Sequence, residues 1–115
     1  MKEVRCVKIK LKPGSLARGR EWAAEIGARR KEALATLRDE SVVLESFFLN
    51  RTDAGDYLIA SIRAASLAQA AEAVERSAHE LDACHAQFKR DTWASGRQLE
   101  LLVDLRLDEF ESRGD

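Results

Sequence analysis

The sequence predicts an α+β fold: a ferredoxin-like sandwich with one four-stranded antiparallel sheet and helices on one of its faces. Three observations predict it. A β-rich run over Val42–Arg51 and another over Asp56–Arg63 flank a short Thr52-Asp53-Ala54-Gly55 break, which is a hairpin signal. A strand pattern opens the chain and another closes it, at Arg97–Leu107. Helical patterns fill both intervals, so the order reads strand, helix, strand, strand, helices, strand.

The first strand spans Lys2 to Lys12, with Arg5, Val7, Ile9 and Leu11 on one face and Val4, Cys6, Lys8 and Lys10 on the other. Pro13-Gly14 stops it, because proline cannot donate to the ladder and both residues favour turns. Ser15 to about Glu40 reads as one long helix. Its apolar stripe is Leu16, Trp22, Ile26, Ala33, Leu34 and Leu37, and Glu25 and Arg29 are placed to pair. Gly27 weakens this helix and suggests close packing on the sheet.

A hairpin closed by the four-residue break sets Leu49 opposite Leu58, Phe47 opposite Ala60 and Glu45 opposite Ile62. Leu44, Ser46, Phe48, Tyr57, Ile59, Ser61 and Arg63 then share the other face. Both faces carry large apolar groups, so both need a cover. Helices of the chain supply one, and a second subunit is the simplest source of the other.

Ser66-Leu67-Ala68-Gln69 has the capping-box pattern, opening a helix from Leu67 to about Arg76 with Leu67, Ala70, Ala71 and Val74 on its apolar side. Ser77-Ala78-His79-Glu80 repeats the pattern. A third helical piece follows from Glu80 to Ala94, with Leu81, Cys84, Phe88 and Trp93 inward and Gly96 as its left-handed cap. The last strand, Arg97–Leu107, alternates most cleanly: Leu99, Leu101, Val103, Leu105 and Leu107 face the helices, and Glu100, Leu102, Asp104 and Arg106 face away. Residues 108–115 read as a fraying polar tail of a single 1–115 domain.

Composition narrows the function. Nineteen basic and 20 acidic residues give a net charge of -1, which argues against nucleic acid or an anionic membrane surface as partner. The interleaved acids of the first helix dilute its Arg29-Arg30-Lys31 cluster. The start lacks an apolar signal core and no run is long enough to span a bilayer, so the expected location is cytoplasmic. Cys6 and Cys84 are expected as buried fillers, not a disulfide framework. No ligand spacing supports a metal, and no motif calls for a cofactor.

Glu45 stands out because it sits in an apolar strand beside Phe47. A carboxylate there either pairs with a cation, with Lys8, Lys10, Arg63 and Arg106 as candidates, or carries a raised pKa. His79 and His85 would point about 120° apart on a continuous helix, so they do not make a metal pair. Asp82, three residues from each, could orient either one. Glu45, His85 and Tyr57 are the candidate catalytic groups. Lys8, Lys10, His79, Trp93 and Asp104 are the candidate ligand-binding groups. An enzyme requires the first three to converge on one cavity. A non-catalytic binder needs only a pocket with one or two polar anchors.

Several stretches carry a resemblance: Val7-Lys8-Ile9-Lys10-Leu11-Lys12-Pro13-Gly14, Arg20-Glu21-Trp22, Glu45-Ser46-Phe47-Phe48-Leu49, Gly55-Asp56-Tyr57-Leu58, the run from Ser77 to His85, and the run from Leu99 to Leu105. Together they resemble a bacterial family of small proteins, domain of unknown function 6176. Its members often have proline at the position of Glu80 and an aromatic at that of Cys84. The resemblance implies a dimeric α+β barrel: a homodimer meeting through the sheet faces, with pockets between the sheet and its covering helices or loops. That superfamily includes mutarotases and monooxygenases, and fold alone does not choose among its chemistries. The reading at this level is a dimeric binder of a small polar organic ligand. The alternative is a cofactor-free isomerase, mutarotase or monooxygenase.

Overall fold

A computed structural model describes residues 3–107. Its elements are β1 (Glu3–Leu11), α1 (Leu16–Ala28), α2 (Arg30–Asp39), β2 (Val42–Thr52), β3 (Gly55–Ala64), α3 (Leu67–Glu75), α4 (Glu80–Thr92) and β4 (Trp93–Gln98). The four strands form one antiparallel sheet in the order β2-β3-β1-β4. This is the predicted α+β architecture.

The hairpin pairs as the alternation predicts: Leu49 with Leu58, Phe47 with Ala60, Glu45 with Ile62. The connecting loop is tighter than expected, because Thr52 and Gly55 themselves pair and leave Asp53-Ala54 as the turn. The Thr52 hydroxyl donates to the Gly55 carbonyl at 2.8 Å and accepts from the Ala54 amide at 3.2 Å. Gly55 sits at φ 136°, where a side chain would be strained. At its other end β2 bulges between Val42 and Leu44, so Val42 stays buried while Val43 turns outward.

The helix-facing side of the sheet holds the core, in two clusters. One joins Ile9, Leu11, Trp22, Leu58 and Phe88, with Val7, Ile26, Phe47, Ala60 and Trp93 against it. The other joins Val42, Ala64 and Ala70, with Leu37, Ile62 and Leu67 against it. Phe88 stacks on Trp22 with ring centroids 4.5 Å apart and planes 3° from parallel.

Several expectations need correction. The long first helix is two helices, because the backbone at Arg29 leaves helical geometry (φ -106°, ψ 40°). The Arg29 side chain braces that break, bonding Glu25 at 3.2 Å and Glu32 at 2.7 Å. A Cβ added at Gly27 would meet nothing within 4 Å, so this glycine marks no close packing. Leu34 and Val74 are exposed, as is Ala71. Helix α4 stops at Thr92 rather than Ala94. Gly96 caps nothing: it lies in β4 opposite Ile9, where a Cβ would come 3.5 Å from Val7 Cγ1.

The largest correction concerns the last strand. Pairing with β1 starts at Trp93 and ends at Gln98, followed by one further bond from the Leu99 amide to the Cys6 carbonyl at 2.8 Å. Residues 101–106 have no regular structure, and Leu101, Val103, Leu105 and Leu107 are exposed instead of facing helices. The alternation is real, but the paired strand lies earlier in the chain than the alternation suggests. Trp93 to Gln98, with Ser95-Gly96 at its centre, looks like a helix end and not a strand. The expected start of β1 at Lys2 and the tail 108–115 lie outside the described residues.

Candidate functional site

Strand register builds the floor of the site. Glu45 pairs with Ile62, and Ile62 pairs with Arg5, so Glu45 and Arg5 lie in one row on the helix-facing side. The next row holds Phe47, Ala60, Val7 and Gln98. Helix α4 covers this floor with a stripe at helical spacing, His85 and Lys89, which continues into Trp93 at the start of β4.

His85 sits in an aromatic setting. Its ring centroid lies 5.1 Å from Trp22, 6.0 Å from Phe47 and 6.4 Å from Trp93. Burial there lowers its pKa to about 4, and the Lys89 charge adds to the effect, so the imidazole is neutral at pH 7. Lys89 places its ammonium 4.9 Å over the Trp93 ring. Burial lowers the Lys89 pKa, while Glu45 and Glu40 oppose that and Arg5 reinforces it. The Trp93 indole Nε1 is buried and has no hydrogen-bond acceptor.

Glu45 keeps an exposed surface. Protein packed around it still raises its pKa, with Lys89 opposing and Asp82 adding. Glu40, at the end of α2, is pushed up to about 7 by burial and by its neighbours Asp82 and Glu45. The charges of Glu40, Asp82, Glu45, Lys89 and Arg5 are therefore electrostatically coupled as one set.

Glu40 and Asp82 also line a neighbouring depression of about 350 Å³ with Asp39, Arg76, Ser77 and His79. His79 Nε2 lies 2.6 Å from Asp39 Oδ2, and that carboxylate raises the imidazole pKa. Ser77 accepts from the His79 amide at 3.1 Å and donates to Asp82 at 2.5 Å. The capping box expected at Ser77 is thus replaced by a bond to the Asp82 side chain. Asp82 orients neither histidine by hydrogen bond.

The structure brings together Glu45, His85 and Trp93, all on the helix-facing side. It does not bring Tyr57 to them. Tyr57 pairs with Lys10 and Asn50 on the opposite face, and Lys8 Nζ lies 4.5 Å from its ring centroid. Lys8, Lys10 and Arg63 share that far face and cannot be the expected partners of Glu45. Asp104 belongs there too: it accepts two bonds from Arg63, at 3.0 and 2.6 Å, which hold its carboxyl below the usual range. The cation facing Glu45 is Lys89, which sequence reasoning passes over. Its signal is the spacing His85, Lys89, Trp93 at four-residue steps. Among the described residues no group of His, Cys, Asp and Glu side chains could hold a metal ion.

Residues 2–110 match a family described as "Family of unknown function (DUF6176)". The chain belongs to that family. No curated protein matches this DUF6176 chain. Two solved structures share its fold. An antibiotic biosynthesis monooxygenase-like protein from Nitrosomonas europaea aligns with a TM-score of 0.52 at 14% identity, over 85% of this chain and 86% of that one. A protein from Pseudomonas aeruginosa aligns with a TM-score of 0.52 at 14% identity, over 87% and 93%. At that identity the likeness establishes a ferredoxin-like α+β domain and no chemistry. No helix of the described chain is long and apolar enough to cross a membrane.

Proposed function

We propose that this DUF6176 protein binds a small, planar, oxygen-bearing organic molecule in the cleft between the sheet and α4. The proposal includes a cytoplasmic homodimer formed through the open sheet faces. One observation carries the ligand reading: the buried Trp93 indole N–H lacks an acceptor beside a half-buried ammonium and a neutral imidazole. Leaving a buried donor unpaired costs about 1–3 kcal/mol, which a ligand oxygen would recover after displacing the side chains that close off the indole edge. Phe47 and Trp93, half-buried beside His85, supply apolar surface for a planar body. The dimer reading rests on the open face, where Leu44 and Phe48 are exposed.

The alternative is a cofactor-free enzyme of the mutarotase, isomerase or monooxygenase type. The opposed shifts of Glu45 and His85 favour it. A general base works best with a pKa near the working pH, and about 4 leaves His85 a weak one. That value suits a neutral hydrogen-bonding anchor, so binding is the preferred reading and Glu45 is the base of the alternative. Tyr57 then belongs to the contact between sheets.

Tryptophan fluorescence reads the cleft directly, because Trp22 and Trp93 both touch His85. Titration with 2-naphthoate and 2-naphthol should give a saturable change. Lys89→Met should weaken the naphthoate at least tenfold and the naphthol less. Absence of saturable change with both probes overturns the ligand reading. For the enzyme, exchange of the acidic protons of a 1,3-diketone into heavy water should be accelerated by the protein and lost in Glu45→Gln. Equal rates with and without protein remove it.

A further inference from the structure

Charge in the cleft is divided between one face of α4 and one face of β2. Asp82, His85 and Lys89 recur at three- and four-residue steps on α4 and form one stripe. The His85 ring lies 6.0 Å from Phe47, which shares its strand face with Glu45 two residues away. Asp82 and Lys89 therefore stand one turn to either side of the histidine that rests over the Glu45–Phe47 face. Glu40 joins Asp82 from the end of α2, where both line the depression of about 350 Å³.

This set has no positive charge left over. Its acids are Glu40, Glu45 and Asp82, and its cations are Lys89 and Arg5. The other charged groups around Glu40 are already engaged: Asp39 lies 2.6 Å from His79 Nε2, and Arg76 lies 3.8 Å from Glu72. His85 is neutral. The two cations are not locked to the acids either. Among the described residues the Lys89 ammonium makes no hydrogen bond or ion pair, and it lies 4.9 Å over the Trp93 ring. It acts on Glu45 and Glu40 only at range, and in both it opposes burial and the Asp82 charge. An anion placed against Lys89 would cancel that support and add a further negative charge. The carboxylates beside it then favour their neutral form.

We propose that the cleft takes its ligand as a weak acid: the anion settles against the Lys89 ammonium, and one proton from solvent is held with it, shared by Glu45 and Glu40. The ligand class is then a carboxylic acid or an acidic enol, bound as anion plus proton and released as pH rises. This rests on the ligand reading above and deepens it.

The naphthoate and naphthol titrations, repeated at half-unit steps from about pH 6 to 8, test it. Over that range 2-naphthoate stays ionised and 2-naphthol stays neutral. Naphthoate affinity should fall about tenfold as pH rises across the range, since a fully coupled proton gives about tenfold per pH unit. Naphthol affinity should stay level. Calorimetry in phosphate and in Tris should report net proton uptake with naphthoate and none with naphthol. In the double variant Glu40→Gln, Glu45→Gln the naphthoate slope should vanish. A level naphthoate profile in the native chain overturns the inference and leaves the ligand reading standing. A slope that survives in the double variant assigns the proton to Lys89 or His85 and also overturns it. No binding of either probe overturns both. Should the double variant fail to fold, the two single variants replace it: an unchanged slope in both counts against the proposal, and a flattened slope in either supports it.

Discussion

Lys89 holds its ammonium 4.9 Å over the Trp93 ring, while the indole N–H of that same ring is buried without an acceptor. Lys89 is thus engaged through the ring face and leaves the edge donor unused. It also faces Glu45 and Glu40, whose charges support its protonation against burial. One side chain from α4 therefore bears on Glu45 of β2, Trp93 of β4 and Glu40 just past α2.

Replacing Lys89 by methionine keeps its apolar stem and removes the charge. Lys89 lowers the pKa values of Glu45, Glu40 and His85 alike. All three should rise in Lys89→Met. Carboxyl-carbon and imidazole NMR titrations read each group separately. A variant in which none of them moves would place Lys89 outside the cleft in solution.

Phe88 is fully buried and stacked on Trp22, at the base of the aromatic cluster that holds His85. Phe88→Ala should cost about 3–5 kcal/mol through lost contacts and a cavity. It should also raise the His85 pKa, because burial is the main cause of its depression. Denaturant unfolding and an imidazole titration check the two effects. A loss below about 1 kcal/mol would mean the core closes without this ring.

Ser66 accepts the Gln69 amide at 3.2 Å and caps α3, as the capping pattern predicts. Ser66→Ala should cost about 0.5–2 kcal/mol. Helix α3 carries Ala70 of the second core cluster, so hydrogen exchange should rise in α3 before it rises in α4. Uniform loosening of both helices would show the two clusters to be one cooperative unit.

The hairpin register was legible because alternation is local and needs no knowledge of neighbours. The side on which Tyr57 lies was legible for the same reason, and it already separated Tyr57 from Glu45. The partner of Glu45 was not legible. Lys89 reaches it through the docking of α4 on the sheet, which depends on packing between distant segments. The split at Arg29 was hidden because no proline or capping residue marks it. The arm beyond Leu99 misled for a physical reason: a strand pattern states that a partner is wanted, but the chain leaves β1 after Leu99 and Asp104 bonds Arg63 of β3 instead.

His85 and Glu40 make opposite contributions to stability against pH. The folded pKa of His85 is about 4 against an ordinary 6.5, so the unfolded chain takes up a proton first as pH falls. Its stabilisation is present above 6.5 and is lost towards 4. Glu40 is the reverse: its pKa is about 7 against 4.5, so the unfolded chain gives up its proton first as pH rises. Its contribution is present below 4.5 and is lost towards 7. Each is worth at most about 3 kcal/mol for these half-buried groups. Glu45 and His79, both raised, add to the Glu40 direction, His79 only above pH 6.5. Between pH 4.5 and 6.5 the His85 and Glu40 slopes largely cancel, which leaves the native chain the smaller fall in stability with pH that Glu45 adds. Glu40→Gln should uncover the His85 slope, with stability rising with pH over that window. His85→Phe should uncover the acid slope, with stability falling. Urea unfolding at half-unit pH steps measures both. Parallel slopes in the two variants would mean that these groups do not sit in the environments described, and the electrostatic account of the cleft would fail with them.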